Sequence, residues 1–247
     1  MVDTLAVVLT VFAFLTSALS GVAGLGGGTI LIGVFFALGL TPVEAVPLFA
    51  AVQFVSNTSR TVAYLGHVEW RAAGWFLLAL LPATFLLAPY AAQVDVNLVR
   101  LILAGLILAS LLPTQDGGAP LAPRPSFLLA GALNGSLGLF VGATGLFVGR
   151  LFLRPEWRKE TTIATLALTQ VLGHGLRVIA YGFVGYSAFA RPELLIPLCL
   201  AVIAGTWTGK RLNARLSGEQ FAGLFKFILV ILSLKLVFDS LRGFGWI

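Results

Sequence analysis

The chain of 247 residues contains few charged side chains. Asp, Glu, Lys and Arg together make up 11% of the sequence, whereas soluble domains carry about 25%. Hydrophobic residues make up 58%, and the mean hydropathy is +0.98. This composition excludes a soluble globular domain. It also excludes disorder, because disordered chains combine low hydrophobicity with high net charge. The composition therefore predicts a polytopic membrane protein.

Cysteine is almost absent, since Cys199 is the single cysteine and lies in an apolar run. One cysteine excludes an internal disulfide and a metal site built from several cysteines, and we predict neither a metal nor a cofactor. Acidic residues are outnumbered by basic ones, 10 to 16, which gives a net charge of +6. The basic residues are dispersed between apolar runs, so nucleic acid is not an expected partner. The expected partner is the lipid bilayer.

Apolar runs between Pro, Gly and charged breaks divide the chain into ten candidate helical segments. They are 4–24, 28–40, 43–65, 70–91 and 97–113 in the first half, and 126–141, 143–154, 160–183, 192–213 and 219–241 in the second. A polar, proline-rich linker at 114–125 separates the halves 1–113 and 126–247, which form a single transmembrane domain. The segments 28–40 and 143–154 are too short to cross a bilayer at about 1.5 Å per residue. Each follows a glycine-rich break, and we interpret it as half of a broken or re-entrant helix.

The two halves repeat a series of residues in the same order. The run 18–28 matches the run 132–142 at an offset of 114. Further along, Gln53, Arg60 and Tyr64 match Gln170, Arg177 and Tyr181 at an offset of 117. Five segments per half is an odd number, so the second half should insert upside down relative to the first. The predicted fold is therefore all-α, with two inverted repeats and discontinuous helices. That is a plan of secondary transporters, which bind substrate near the membrane midplane.

The distribution of Lys and Arg predicts the orientation of the segments. Odd-numbered loops contain most of the basic residues, namely Arg71, Arg124, Arg154, Arg158, Lys159, Lys210, Arg211 and Arg215. Even-numbered loops contain mainly Arg100 and Arg191, beside Asp95 and Glu193. We therefore expect the odd-numbered loops in the cytoplasm and both termini outside.

Two predicted helices carry a polar stripe on an otherwise apolar surface. At about 100° per residue, the members of each stripe fall on one narrow face. The stripes are Gln53, Asn57, Arg60 and Tyr64, and Gln170, His174, Arg177 and Tyr181. An Arg at bilayer depth costs about 2.5–3.5 kcal/mol, yet the acids on these helices, Glu44 and Glu160, lie more than about four turns away. We interpret the missing counter-charge as an anionic substrate, because a guanidinium can donate two parallel hydrogen bonds to an oxyanion. The alternative is that the arginines snorkel or that the stripes join helices.

The first glycine-rich break supplies the remaining predicted substrate-binding residues, which are Gly26, Gly27 and Gly28. Glycine permits positive φ and close backbone approach. The short helix that follows would direct unsatisfied N–H groups and a positive dipole end at an anion. The alternative is close helix packing through small residues. A nucleotide-binding loop is not expected, because no Gly-Lys-Ser/Thr follows.

Two other readings of the polar residues are open. His174 could carry a proton, because its ordinary pKa is near neutral, although its counterpart Asn57 does not titrate. Ser136 could pair with His174, the one histidine within a predicted span, as in a serine hydrolase. The first half has Val22 in place of Ser136, which makes this enzyme the remote alternative.

The glycine-rich run 20–28, its duplication and the chain length resemble the TauE/SafE family of sulfite and organosulfonate exporters. The resemblance covers essentially the whole chain, although Phe140 and Val141 replace Gly26 and Gly27 in the second run. It implies a transporter and not an enzyme, located in the cytoplasmic (inner) membrane, that exports a sulfur-containing anion such as sulfite or sulfoacetate by alternating access. An anion channel and a carrier of another small organic anion are the alternatives, and a homodimer is left open.

Overall fold

The computed structural model describes residues 4–23, 26–112, 119, 121–212 and 218–246, and these residues form an all-helical bundle. The helices are α1 Thr4–Ala23, α2 Gly27–Ala37, α3 Pro42–Ala63, α4 Trp70–Leu87, α5 Val96–Leu111, α6 Pro123–Val141, α7 Gly145–Gly149, α8 Lys159–Phe183, α9 Pro192–Leu212 and α10 Gly218–Gly243. No strand occurs in these ranges. The all-α prediction is confirmed. Residues 114–118 and 120 of the predicted linker 114–125 lie outside the described residues, and α6 begins within this segment at Pro123.

Helix starts follow local capping chemistry. Thr41 precedes α3 and forms a capping box with Glu44, whose carboxylate accepts the Thr41 backbone N–H at 3.0 Å and the Thr41 hydroxyl at 2.7 Å. Asp95 precedes α5, and its carboxylate accepts the N–H groups of Asn97 and Leu98. Such caps satisfy N–H groups that have no acceptor within the helix. Thr41 and Asp95 therefore specify where α3 and α5 begin.

One glycine with positive φ interrupts the helical path at the break of each half. Gly26 has a φ of 102° before α2, and Gly142 has a φ of 80° after α6. Residues with a side chain rarely adopt this left-handed backbone conformation. Glycine adopts it readily and so permits the sharp change of direction. The helices that follow have 11 residues in α2 and 5 in α7, fewer than the roughly 20 that crossing a bilayer requires. Arg150–Phe152 continues α7 as a 3-10 turn.

The short helix α2 lies in the interior. It packs against α1, α3, α5 and α10, and most of its side chains are buried. Those buried furthest are Ile30, Leu31, Ile32, Phe35 and Phe36. A helix that is apolar on all sides is stable only when it is surrounded. The bundle thus holds the N-terminus of α2 at a fixed place inside the molecule.

Helix pairing follows the sequence repeat. The offsets match α1–α5 to α6–α10 in order. The strongest pairings are α1 with α9, α4 with α6, α3 with α8, and α5 with α10. If each helix is replaced by its counterpart, the pair of α1 and α9 becomes the pair of α6 and α4. The pair of α3 and α8 and the pair of α5 and α10 stay the same. That pattern is the one a two-fold relation between the halves would produce, while the inversion across a membrane stays a prediction.

Glycines spaced four residues apart bring the paired helices together. On α6, a Cβ at Gly131 would collide with the carbonyl oxygen of Phe76, and one at Gly135 would lie 2.7 Å from a carbonyl oxygen of α4. On α9, Gly205 and Gly209 meet the backbone of α1 in the same way. Small residues at this spacing let helix backbones approach closely in membranes. Gly135 therefore serves the close packing of α6 on α4.

The outer surface is apolar over much of the bundle. Large hydrophobic side chains are exposed on every long helix; examples are Leu86 at 72%, Phe183 at 77% and Leu234 at 61%. Among the described residues, three helical stretches are long and apolar enough to cross a membrane, at 70–90, 159–183 and 192–209. Apolar stretches of α1, α2 and α5 are shorter. Exposed apolar area on this scale is unsuited to water, and the chain is a membrane protein.

The close contact at α6 predicts the effect of a small substitution. Gly131→Ala should lower the free energy of unfolding in detergent by on the order of 1–3 kcal/mol, because the added methyl group must push two backbones apart. Gly105→Ala is the matched control, since a Cβ there meets nothing within 4 Å. The control should be neutral or slightly stabilising. Equal denaturation midpoints for the two variants would contradict the packing assignment.

Candidate functional site

A small pocket lies between α3 and α8, where the two helix breaks meet. Its cavity volume is about 40 Å³. The lining comes from the starts of α2 and α7 and from both polar stripes, and it includes Gly26, Gly28, Thr29, Phe49, Gln53, Asn57, Arg60, Ala143, Gly145, Gln170 and His174. Seven of the eleven predicted site residues are in this lining. Gly27, Tyr64, Arg177 and Tyr181 are not.

In the first half, Asn57 orients Gln53. The Asn57 side-chain amide donates to the Gln53 backbone carbonyl at 2.9 Å and to Gln53 Oε1 at 3.4 Å. Because Oε1 faces Asn57, Nε2 is the end of the Gln53 amide that approaches α2. A Cβ placed on Gly28 would lie 3.0 Å from Gln53 Nε2. Glycine at position 28 therefore leaves room for an amide donor beside the start of α2.

In the second half, Gln170 presents a buried donor to the same pocket. Its side chain is 7% exposed, and its Nε2 has no hydrogen-bond partner among the described residues. Buried polar groups in folded proteins are nearly always paired, so an unpaired one needs an explanation. Gln170 also lines the pocket. A ligand that accepts a hydrogen bond would satisfy it.

The start of α2 adds backbone donors. Thr29 and Ile30 donate their N–H groups to the Gly26 carbonyl. The N–H of Gly28 belongs to the first turn, which has no acceptor within the helix. Helix N-termini carry partial positive charge and favour anions. Gly26, Gly28 and Thr29 all line the pocket, so this helix end is directed at it.

Arg177 is bound to the protein and does not line the pocket. Its side chain is 1% exposed. Nη1 donates to the Gly142 carbonyl and to His174 Nδ1, each at 2.9 Å. Nη2 donates to the backbone carbonyl of Asn134 at 3.2 Å and to its Oδ1 at 2.6 Å. Gly138 leaves space for this guanidinium, because a Cβ there would overlap it. All four acceptors are neutral, and Nε has no hydrogen-bond partner among the described residues. Arg177 is thus bonded at the second break, and its binding of an anion stays a prediction.

The two tyrosines of the stripes also differ. Tyr181 is fully buried, and its hydroxyl donates to the Leu139 carbonyl at 3.0 Å. This bond fastens α8 to the end of α6. Tyr64 follows the last residue of α3 and is partly exposed. In the second stripe, Gln170 and His174 thus face the pocket, while Arg177 and Tyr181 attach α8 to the break.

Asn134 is a residue that the stripe analysis missed. It is 1% exposed, and its Nδ2 donates to the Thr144 hydroxyl at 3.1 Å while its Oδ1 accepts from Arg177. It therefore joins α6, the start of α7 and α8. A polar residue within the repeated run, opposite Ser20 in the first half, was the sequence signal that could have identified it.

The serine hydrolase interpretation is wrong. The Ser136 hydroxyl donates to the Ala132 carbonyl of its own helix at 2.7 Å. Nδ1 of His174 accepts from Arg177. A nucleophilic serine requires a base within hydrogen-bond reach, and the pair expected for that role does not form.

Arg177 is expected to support the fold as well as the site. Arg177→Ala should lower the free energy of unfolding by on the order of 3 kcal/mol or more, because several buried acceptors lose their donor together. Chemical denaturation in detergent would measure the loss. Arg71→Ala is the control, since Arg71 is exposed and such substitutions usually change stability by less than about 0.5 kcal/mol. Equal stability of the two variants would show that the Arg177 bonds do not hold the break.

Comparison with known proteins agrees with this architecture. The family model described as "Sulfite exporter TauE/SafE" matches residues 9–236. No curated protein and no solved structure gives a significant match. The family consists of membrane transporters and not enzymes, and its substrates are small sulfur-containing anions. With the match extending over most of the helical bundle, the chain belongs to the sulfite exporter TauE/SafE family.

Proposed function

We propose that the chain exports sulfite by alternating access and binds it in the pocket between α3 and α8. The single observation that carries this proposal is Gln170 Nε2, a buried donor without a partner among the described residues, which lies at the pocket. The proposal places the chain in the cytoplasmic membrane, with both termini outside and with the halves 1–113 and 126–247 as inverted repeats.

The chemistry of the lining supports an anion. Amide donors come from Gln53 and Gln170, backbone N–H groups come from the start of α2, and Arg60 adds a positive charge. None of the residues that line the pocket is acidic. Hydrogen bonds from such donors to an ionised oxygen are shorter and stronger than those between neutral groups. A metal or ammonium cation could accept none of these hydrogen bonds and would be repelled by Arg60.

The size of the pocket supports a small oxyanion. Holding one water requires roughly 10–15 Å³ of cavity volume, so about 40 Å³ accommodates only a few water-sized groups. Sulfite, with one sulfur and three oxygens, is of this size. Sulfoacetate adds a carboxymethyl group and would require the pocket to widen. Of the two expected substrates, the pocket therefore favours sulfite.

An asymmetry between the halves supports alternating access. Arg177 and Tyr181 fasten α8 to the second break. Their first-half counterparts differ, because Arg60 lines the pocket and Tyr64 is partly exposed. In a carrier made of two related halves, the conformation open to the other side of the membrane would give each half the arrangement that the other half has here. An inside-negative potential would drive the anion outward by about 2.3 kcal/mol per charge per 100 mV, so export needs no coupled ion.

Gln170 gives the sharpest test of the site. Gln170→Leu keeps the side chain's approximate size and removes its donor, so sulfite affinity should fall roughly 10- to 100-fold, as expected for the loss of a hydrogen bond to a charged group. Calorimetric titration of the purified protein under anaerobic conditions would measure this.

Two controls accompany the titration. Gln93→Leu changes an exposed glutamine and should leave the affinity for sulfite unchanged. Sulfoacetate, titrated into the unchanged protein, should bind more weakly than sulfite. If Gln170→Leu bound sulfite as tightly as the unchanged protein, the pocket would not be the binding site. Single-channel conductance in planar bilayers would instead favour the anion channel.

A further inference from the structure

His174 lies between the pocket and the bonds that hold the second break. It lines the pocket with Gln170 and Gly28, and on its other side Nδ1 lies 2.9 Å from Arg177 Nη1. A guanidinium has donors and no acceptor. The hydrogen bond therefore requires Nδ1 to be the acceptor, and the proton of a neutral imidazole must then be on Nε2.

The position of Arg177 is fixed by groups other than His174. The Gly142 carbonyl and Asn134 Oδ1 accept from its two terminal nitrogens. Asn134 is itself held, because its Nδ2 donates to Thr144. Gly138 supplies the space that the guanidinium fills. The direction of the Arg177 N–H group that faces His174 is therefore determined by protein groups at the second break and not by the ligand.

The ring of His174 is held in orientation as well. Phe49 meets it edge to face, with the ring centroids 5.5 Å apart and the planes at 77°, an arrangement that aromatic pairs prefer. With Nδ1 turned toward Arg177, Nε2 is the nitrogen left to face the pocket. In this position it can donate a hydrogen bond to an oxyanion.

We propose that Arg177 is a positioning residue that holds His174 in the Nε2–H tautomer, so that His174 presents a donor to the transported oxyanion. The inference rests on the proposed function of the pocket. It gives Arg177 a role in substrate recognition without contact to the substrate. In the first half, a different residue of the stripe orients a donor at the pocket, since Asn57 orients the Gln53 amide.

Nitrogen-15 NMR of histidine tests the inference in the protein without sulfite. The chain has two histidines, and His67 is exposed, so His67→Gln leaves His174 as the single reporter. At neutral pH the spectrum should show an unprotonated Nδ1 and a protonated Nε2. A protonated Nδ1, alone or together with Nε2, would overturn the inference. This measurement needs no further substitution and is therefore independent of how other variants fold.

A second variant connects the tautomer to binding. In the same background, Arg177→Met should give a mixture of tautomers and weaken sulfite binding about tenfold, the effect of losing one oriented donor to a charged ligand. Arg60→Met is the matched control, which should retain the Nε2–H tautomer while it weakens binding. A pure Nε2–H tautomer in Arg177→Met would overturn the inference.

The two readouts separate the inference from the function on which it rests. The tautomer of the unliganded protein reports only on the positioning by Arg177. Sulfite binding at Gln170 reports on the pocket. If the Nε2–H tautomer were found and no sulfite bound, the proposed function would fail. If sulfite bound and Nδ1 carried the proton, the positioning role would fail.

Discussion

Broken helices create the constraint on which the rest of the structure depends. Where a helix stops inside an apolar medium, its end groups have no water to bind, so the protein or a ligand must supply the partners. At the second break, Arg177 binds the Gly142 carbonyl and Tyr181 binds the Leu139 carbonyl. At the first break, the start of α2 faces a pocket instead. Side chains thus close the second break, and we propose that the first one binds the ligand.

The same constraint explains how the polar stripes divide their roles. A stripe of four side chains spans about 16 Å along its helix. This length is greater than that of a pocket for a small oxyanion, so only part of a stripe can line it. Gln170 and His174 reach the pocket, whereas Arg177 and Tyr181 reach the break. The buried charge of Arg177 is bonded to neutral oxygen and nitrogen acceptors. The positive charge that lines the pocket belongs to Arg60.

Much of the fold could be predicted because charge, proline and glycine mark the helix ends directly. The segment predicted at 43–65 is Pro42–Ala63, and the one predicted at 160–183 is Lys159–Phe183. The segment predicted at 143–154 is less regular, since Gly145–Gly149 passes into a 3-10 turn. The site was harder to predict. The direction of Arg177 depends on Asn134 and on the space at Gly138, both on a different helix, and spacing along α8 carries no information about either.

Anomalous diffraction from selenite, a pyramidal oxyanion that resembles sulfite, would test the central claim most directly. The account predicts a selenium peak between α3 and α8, with its oxygens within hydrogen-bond distance of Gln170 Nε2 and Gln53 Nε2, and excess sulfite should remove it. A sulfite-displaceable peak elsewhere, for example in the separate pocket lined by Glu44, Tyr186 and Arg191, with none between α3 and α8, would contradict the account.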